Sequence, residues 1–159
     1  MLSIRNATVA DCALMRTMIR ELAEFEHEIE SVSITEEMLV RDGFGPDPKF
    51  RALIAEWDGQ PAAFALFFGR YSTWAGPALH LEDLFVRDAF RGKGIGTALL
   101  VAIARVTVDE GCYGLHWEVL DWNTPAIDLY KALGGEFRKG WLPVRITGDA
   151  LQRLAEKAQ

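Results

Sequence analysis

Leu81–Leu100 reads LEDLFVRDAFRGKGIGTALL, and this stretch decides the fold. Its first six residues end an apolar, buried-looking strand, ALHLEDLFV, in which two acids, Glu82 and Asp83, stand side by side. The chain then passes through Arg91, Gly92, Lys93, Gly94 and Ile95 before a helical pattern opens at Gly96. Glycine is favoured where backbone turns sharply or something approaches it closely. A strand–loop–helix junction of this kind is an anion site by construction. The first helical N–H groups lack internal partners, and the helix dipole favours negative charge there. Arg91 and Lys93 add positive charge beside it. A dinucleotide-binding loop of the form G-x-G-x-x-G does not fit, because Thr97, Ala98 and Leu99 follow Gly96. The pattern G-x-x-x-x-G-K-[ST] is absent as well. From the glycines alone, a tight turn without a ligand stays open.

Working outward, SIRNA (3–7) reads as a short first strand. Thr8 and Asp11 form a helix-start pattern, and Ala13, Leu14, Ile19, Leu22 and Ala23 give a helix to about His27. Thr35, with Glu36 and Glu37 behind it, caps a second short helix that Gly43 is expected to end. FRALIAEW, the turn Asp58-Gly59 and PAAFALFFGRY predict a hairpin, with ALHLEDLFV as a third strand. A helix stopped by Gly111, a strand YGLHWEVL and a helix opened by Asn123-Thr124-Pro125 come next. EFRKGWLPVRIT is expected to hold one or two further strands, and GDALQRLAEKA a last helix. Hairpins mixed with helical crossovers predict an α/β (α+β) domain, a mixed sheet covered by helices.

The 159 residues fit one domain, 1–159, with no linker or repeat to divide it. No apolar run approaches the roughly 20 residues a membrane helix needs, and the N-terminus has no signal core. Cys12 and Cys112 read as reduced thiols, which predicts a cytoplasmic protein. A net charge of −6 argues against nucleic acid and suits a cationic substrate. Glu21, Glu24, Glu26, Glu28 and Glu30 form either a solvated face or a patch that attracts amines. His27, His80 and His116 show no ligand spacing, so no metal is expected.

RGKGIG resembles the acetyl-coenzyme A pyrophosphate loop, R/Q-x-x-G-x-G/A, of the GNAT superfamily of N-acetyltransferases. NTPAIDLYKALGG resembles that superfamily's N-x-x-A-x-x-x-Y segment. IRNATVADC, ELAEFE, TEEMLVRDGFG, LEDLFV, LDWN and DLYKALG are similar to its diamine (spermidine/spermine)- and thialysine-acetylating branch, in register from about Ile4 to Leu133. The resemblance implies the GNAT fold: a mostly antiparallel mixed sheet, helices on both faces, and splayed strands forming the acetyl-CoA cleft. It implies acetyl transfer to a small cationic amine by direct attack in a ternary complex, in a homodimer without metal. Acetylation of protein lysines or N-termini, and an acyl-CoA sensor without turnover, are the competing readings.

An alkyl amine with pKa ~10.4 is almost wholly protonated at neutral pH, so its neutral form costs about 4 to 5 kcal/mol to reach. A site for this reaction must remove a proton, orient the amine, stabilise an oxyanion and reprotonate a thiolate. By the resemblance, Glu82 is the amine's charge partner and base, acting through water, and Tyr130 protonates the thiolate. The backbone of Leu84, Phe85 and Val86 pairs with the pantetheine arm, and Arg91–Thr97 hold the pyrophosphate. Asn123 and Ala126 belong to the coenzyme segment with Tyr130. Read without it, Leu84–Val86 are core strand residues, Tyr130 is a buried tyrosine, and Asn123 is a helix cap. Strand alternation predicts that Asp83 faces away from Glu82, so that only one of them lines the cleft. Phe25, Glu26, His116, Trp117 and Glu118 are the remaining acceptor contacts implied, with Phe25 standing where the branch has tyrosine. Glu118 reads equally as a second anion for a dication or as a solvent-facing strand acid.

Overall fold

The computed structural model describes residues 1–157. The chain divides into two compact units, Met1–Glu118 and Val119–Gln159. The larger unit holds β1 (Leu2–Asn6), α1 (Cys12–Phe25), α2 (Glu36–Phe44), β2 (Arg51–Trp57), β3 (Gln60–Ser72), β4 (Gly76–Val86), α3 (Ile95–Asp109) and β5 (Leu115–His116). The smaller holds α4 (Thr124–Ala132) and α5 (Gly148–Ala155). Among the described residues no helix is long and apolar enough to cross a membrane.

The strands lie in sequence order, β1-β2-β3-β4-β5. The first three pairings are antiparallel and β4–β5 is parallel. The β2–β3 turn carries Asp58 and Gly59 at φ 51° and 76°. Positive φ at both central residues is what a two-residue turn needs to match strand twist. β2 and β3 are buried on both faces. Ala52, Ile54, Phe64, Leu66 and Phe85 pack with Cys12, Met15 and Met18 of α1 and Leu39 of α2. The alternate residues Leu53, Ala55, Ala63 and Ala65 are buried too, and α3 packs against β2, β3 and β4. Ile95, Leu99 and Ile103 of α3 are buried at 1% exposure or less, each contributing about 1.5 to 3 kcal/mol.

Asp11 secures the entry to α1. Its carboxylate accepts from both Arg5 Nη atoms at 2.8 and 2.9 Å, from the Thr8 N–H at 2.7 Å and from the Thr8 hydroxyl at 3.0 Å. Arg87, just past β4, donates twice to Glu21 of α1 at 2.9 and 3.0 Å.

Four expectations need correction. α2 ends at Phe44, one residue beyond Gly43, with Gly45 as its cap. The strand expected over YGLHWEVL is paired at Leu115 and His116 alone, opposite Leu79 and His80. Just past that point β4 bulges: Leu66 pairs with Asp83 and Phe67 with Leu81, leaving Glu82 as the extra residue. A bulge disrupts the ladder and bends its strand, so the parallel pairing stops there. No strand forms among the described residues of EFRKGWLPVRIT. Gly140 turns the chain at φ 84°, and Pro143 has no N–H for a ladder. The fourth correction concerns Glu82 and Asp83 and belongs to the site.

Candidate active site

The glycine loop forms as its sequence demands. Asp88–Phe90 make one tight turn after β4, and Gly92 and Gly94 both sit at φ 75°. Nothing lies within 4 Å of a Cβ built on either, so backbone conformation rather than crowding calls for glycine. Gly94 caps α3, whose first internal bond runs from Ala98 N–H to the Gly94 carbonyl at 3.0 Å. The N–H groups of Ile95, Gly96 and Thr97 therefore precede any intrahelical acceptor. A Cβ on Gly96 would meet only Leu84 and Val86 side chains at 3.6 and 3.7 Å.

Both cations of the loop rest on aromatic rings. The Arg91 guanidinium lies 4.7 Å from the Phe25 ring centroid and 6.0 Å from that of Phe85. It donates to the Val86 carbonyl at 3.1 Å and pairs with Asp88 at 2.8 Å. Lys93 Nζ lies 4.9 Å from the Trp57 ring. Such contacts hold a cation without neutralising it. Phe25 is thus placed beneath the loop arginine.

An apolar cleft of about 520 Å³ opens between α1, α2 and the sheet. Ile19, Ile34, Leu39, Phe50, Leu66 and Phe68 form its walls, with Glu82 and Asp83 at β4 and Asp42 and Lys49 elsewhere on its lining. The bulge at Glu82 breaks strict alternation, so both neighbouring acids line one cleft, contrary to the reading from strand period. Burial, then the charges of Glu82 and Glu26, push the Asp83 carboxyl up to about 6. Burial, then Glu28, raises the Glu26 carboxyl. His80 Nε2 stands 3.3 Å from the Glu82 carboxylate, with its ring tilted against Phe68 at 5.2 Å between centroids. Sequence reasoning passed over His80 and the inward aim of Asp83. An acid pair at the end of an apolar strand, with histidine two residues before it, was the available signal.

The other predicted residues distribute as follows. Glu26 bears on the cleft through its charge on Asp83. His116 Nε2 is 2.9 Å from the Tyr113 hydroxyl, Trp117 is half-buried and Glu118 is exposed. In the smaller unit, the Asn123 side chain accepts from Ala126 N–H at 3.4 Å and caps α4. Tyr130 follows Ala126 by four residues on the same helix face. Gly134, at φ 89°, donates to the Lys131 carbonyl, and Gly135 donates to that of Tyr130 at 2.8 Å. This closes the helix end in a Schellman arrangement. Burial raises the Tyr130 phenol above its ordinary range. Among the described residues no three histidine, cysteine or acid groups gather as a metal would need.

The model of the acetyltransferase (GNAT) family matches residues 14–134. The chain belongs to that family. It is 42% identical over 165 residues to a thialysine N-epsilon-acetyltransferase of Sus scrofa, covering 97% of each chain. It is 33% identical to the human spermidine/spermine N(1)-acetyltransferase-like protein 1, over 96% of this chain and 23% of that protein. Among solved structures, an aminoglycoside N-acetyltransferase in complex with CoA superposes with a TM-score of 0.73 at 22% identity. That likeness covers 92% of this GNAT chain and 95% of the other.

Proposed function

We propose that this GNAT protein transfers an acetyl group from acetyl-CoA to the primary amine of a small cationic acceptor, a diamine, polyamine or thialysine-like amino acid. The observation that carries the reading is the acid-ended apolar cleft against β4, the strand that leads into the Arg91–Thr97 loop. The open loop fits a diphosphate: Gly92 and Gly94 present bare backbone, α3 offers unpaired N–H groups, and Arg91 and Lys93 stand beside them. Acetyl-CoA, when bound, supplies a thioester whose acyl carbon an amine can attack.

Leu84, Phe85 and Val86 follow the bulge, and in this reading their backbone aligns the pantetheine arm. An N–H in the same stretch polarises the thioester oxygen. Glu82 and Asp83 hold the acceptor's ammonium and draw off its proton, directly or through water. The amine nitrogen then forms the new C–N bond as the C–S bond breaks. Tyr130 delivers a proton to the departing thiolate, while Asn123 and Ala126 shape the start of its helix. Cys12 is buried and Cys112 lies in no nucleophile setting, in keeping with direct transfer. Phe25 and Glu26 shape the acceptor side from the end of α1, and His116, Trp117 and Glu118 from the end of β5.

The same reading makes the protein a cytoplasmic homodimer that uses no metal and binds neither nucleic acid nor membrane. Trp141, Leu142 and Val144 are 65%, 88% and 91% exposed, which supports a self-association surface. The test is free-thiol release from acetyl-CoA with diamines, polyamines, lysine, thialysine and a basic peptide. Release with small amines is expected. Tight coenzyme binding without release for any acceptor would make the protein a sensor, and release with the peptide alone would make it a protein acetylase.

A further inference from the structure

The bulge that brings Glu82 to the cleft also leaves its side chain loosely held. Glu82 is the extra residue of β4, and its side chain is 55% exposed. A long, flexible side chain loses much rotamer freedom when it is fixed, so without an anchor its carboxylate favours open water over one orientation. The cations nearby are committed elsewhere. Arg87 donates twice to Glu21. Arg91 pairs with Asp88, donates to the Val86 carbonyl and rests on Phe25. Lys49 pairs with Asp47. The next residue, Asp83, is a like charge that repels the Glu82 carboxylate.

His80 supplies the anchor. It stands two residues before Glu82 on β4, and its Nε2 lies 3.3 Å from Glu82 Oε2. The imidazole is itself held in place. Its side chain is only 16% exposed, and its ring rests against Phe68 of β3 at 5.2 Å between centroids. The backbone is fixed here on both sides, since His80 is in register with Phe68 on β3 and with His116 on β5. With its proton on Nε2, an imidazole donates to a carboxylate whether it is neutral or cationic. A carboxylate has about four lone-pair positions, so one contact on Oε2 leaves Oε1 open to an ammonium. Phe68 is also a wall of the cleft, so one ring both braces the imidazole and faces the acceptor.

We propose that His80 is a positioning residue for the transfer: braced by Phe68, its imidazole holds the Glu82 carboxylate at the cleft, where it meets the acceptor's ammonium. A reacting group oriented by a neighbouring side chain stays near its productive geometry, and losing that neighbour costs rate through the group it orients. This rests on the acetyl-transfer reading above and adds a residue to it.

The experiment measures thiol release from acetyl-CoA with whichever small amine of the panel above the wild-type protein acetylates fastest. His80→Phe and His80→Met fill the space without a donor, and His80→Gln returns an N–H at similar reach. Melting curves verify that the variants fold. His80→Phe and His80→Met should lower kcat/KM for the amine roughly fivefold to tenfold, as loss of one charge-assisted contact to a half-exposed carboxylate does. The KM for acetyl-CoA should stay within about twofold of wild type, and His80→Gln within about threefold in kcat/KM, since the coenzyme contacts and the donor are kept. In a Glu82→Gln background, His80→Phe should change kcat/KM by less than about twofold, because the carboxylate it positions is gone. A purely structural role would lower both backgrounds alike. Equal losses in both backgrounds, His80→Gln as slow as His80→Phe, or His80→Phe as fast as wild type overturns the positioning role alone. Thiol release with no amine overturns acetyl transfer and the positioning role together.

Discussion

Glu82 and Asp83 are consecutive in a strand, yet both line one cleft, because Glu82 is the extra residue of a bulge opposite Leu66 and Phe67. The consequence is electrostatic. A carboxylate withdrawn from bulk water beside a second one ionises less freely than it would alone, and the more buried Asp83 yields.

Asp83 should therefore set the acid limb of activity. With its carboxyl pushed up to about 6, kcat/KM should rise with pH through that value as the anion forms. Glu82→Gln removes a like charge and should move the limb to lower pH, while Asp83→Asn should abolish it. Stability gives an independent readout. A carboxyl raised on folding stabilises the native state below its unfolded value near 3.9 and loses that contribution as pH rises through about 6. The melting temperature of Asp83→Asn relative to wild type should therefore climb between pH 4 and 7. A difference that stays flat across this window would contradict the assignment.

Phe25 lies beneath the loop arginine, 4.7 Å from the guanidinium carbon, and this defines its test. Phe25→Ala should loosen Arg91, which keeps the Val86 carbonyl and Asp88, and raise the KM for acetyl-CoA about twofold to fivefold, the worth of an exposed cation–π contact. Phe25→Leu, which keeps bulk without the ring's quadrupole, should resemble alanine. A change confined to the amine's KM would make Phe25 an acceptor contact alone.

The elements that were legible in the sequence are those whose signals are local. The Asp58-Gly59 hairpin, the Thr8–Asp11 entry to α1, the glycine loop and the Asn123 cap each depend on a few adjacent residues. The bulge does not: it is a mismatch of count between β3 and β4, visible only when Leu66 meets Asp83 and Phe67 meets Leu81. The same non-local event shortened β5. Trp141–Ile146 carry strand-like apolar residues, but a ladder needs a partner's N–H and C=O groups, which no local pattern supplies. The cleft itself was hidden likewise, since Phe50, Phe68 and Glu82 come to line one space only through the order of the sheet.

Two of the loop glycines should separate by mutation. Gly94 caps α3 at φ 75°, so Gly94→Ala forces an alanine into the left-handed region at about 1 kcal/mol, lowering Tm by about 2 to 4 °C. Gly96 lies inside the helix with room for a methyl group against Leu84 and Val86. Gly96→Ala should leave Tm unchanged or higher, since alanine is the better helix former. Thermal melts of the two variants decide this, and equal losses would mean that the loop is crowded.

Asp11 answers a question of stability alone. It accepts four hydrogen bonds from Arg5 and Thr8 and is buried at 8% exposure. The Arg5 guanidinium holds its carboxyl well below the usual range, so this contribution is present at neutral pH and is lost as pH falls below about 4. Asp11→Ala should cost about 2 kcal/mol at pH 7, as removal of a buried charged hydrogen-bond acceptor does. Urea denaturation at pH 7 and pH 3 should show the gap between variant and wild type shrinking in acid.

Tyr130 is the sharpest test of the chemistry. Its helix is fixed at both ends, by Asn123 and by the Gly134-Gly135 closure that binds its own carbonyl, so removing the hydroxyl leaves the scaffold intact. Burial already raises the phenol, which keeps it protonated at neutral pH and able to donate. Tyr130→Phe should lower kcat by roughly 10²-fold or more, the scale of a lost general acid, with coenzyme affinity little altered. Acceptor analogues cannot restore the proton, but a donor thioester with a more acidic thiol needs it less. The deficit should therefore shrink as the leaving thiol's pKa falls. A deficit independent of the leaving group would move Tyr130 from proton donor to positioning residue.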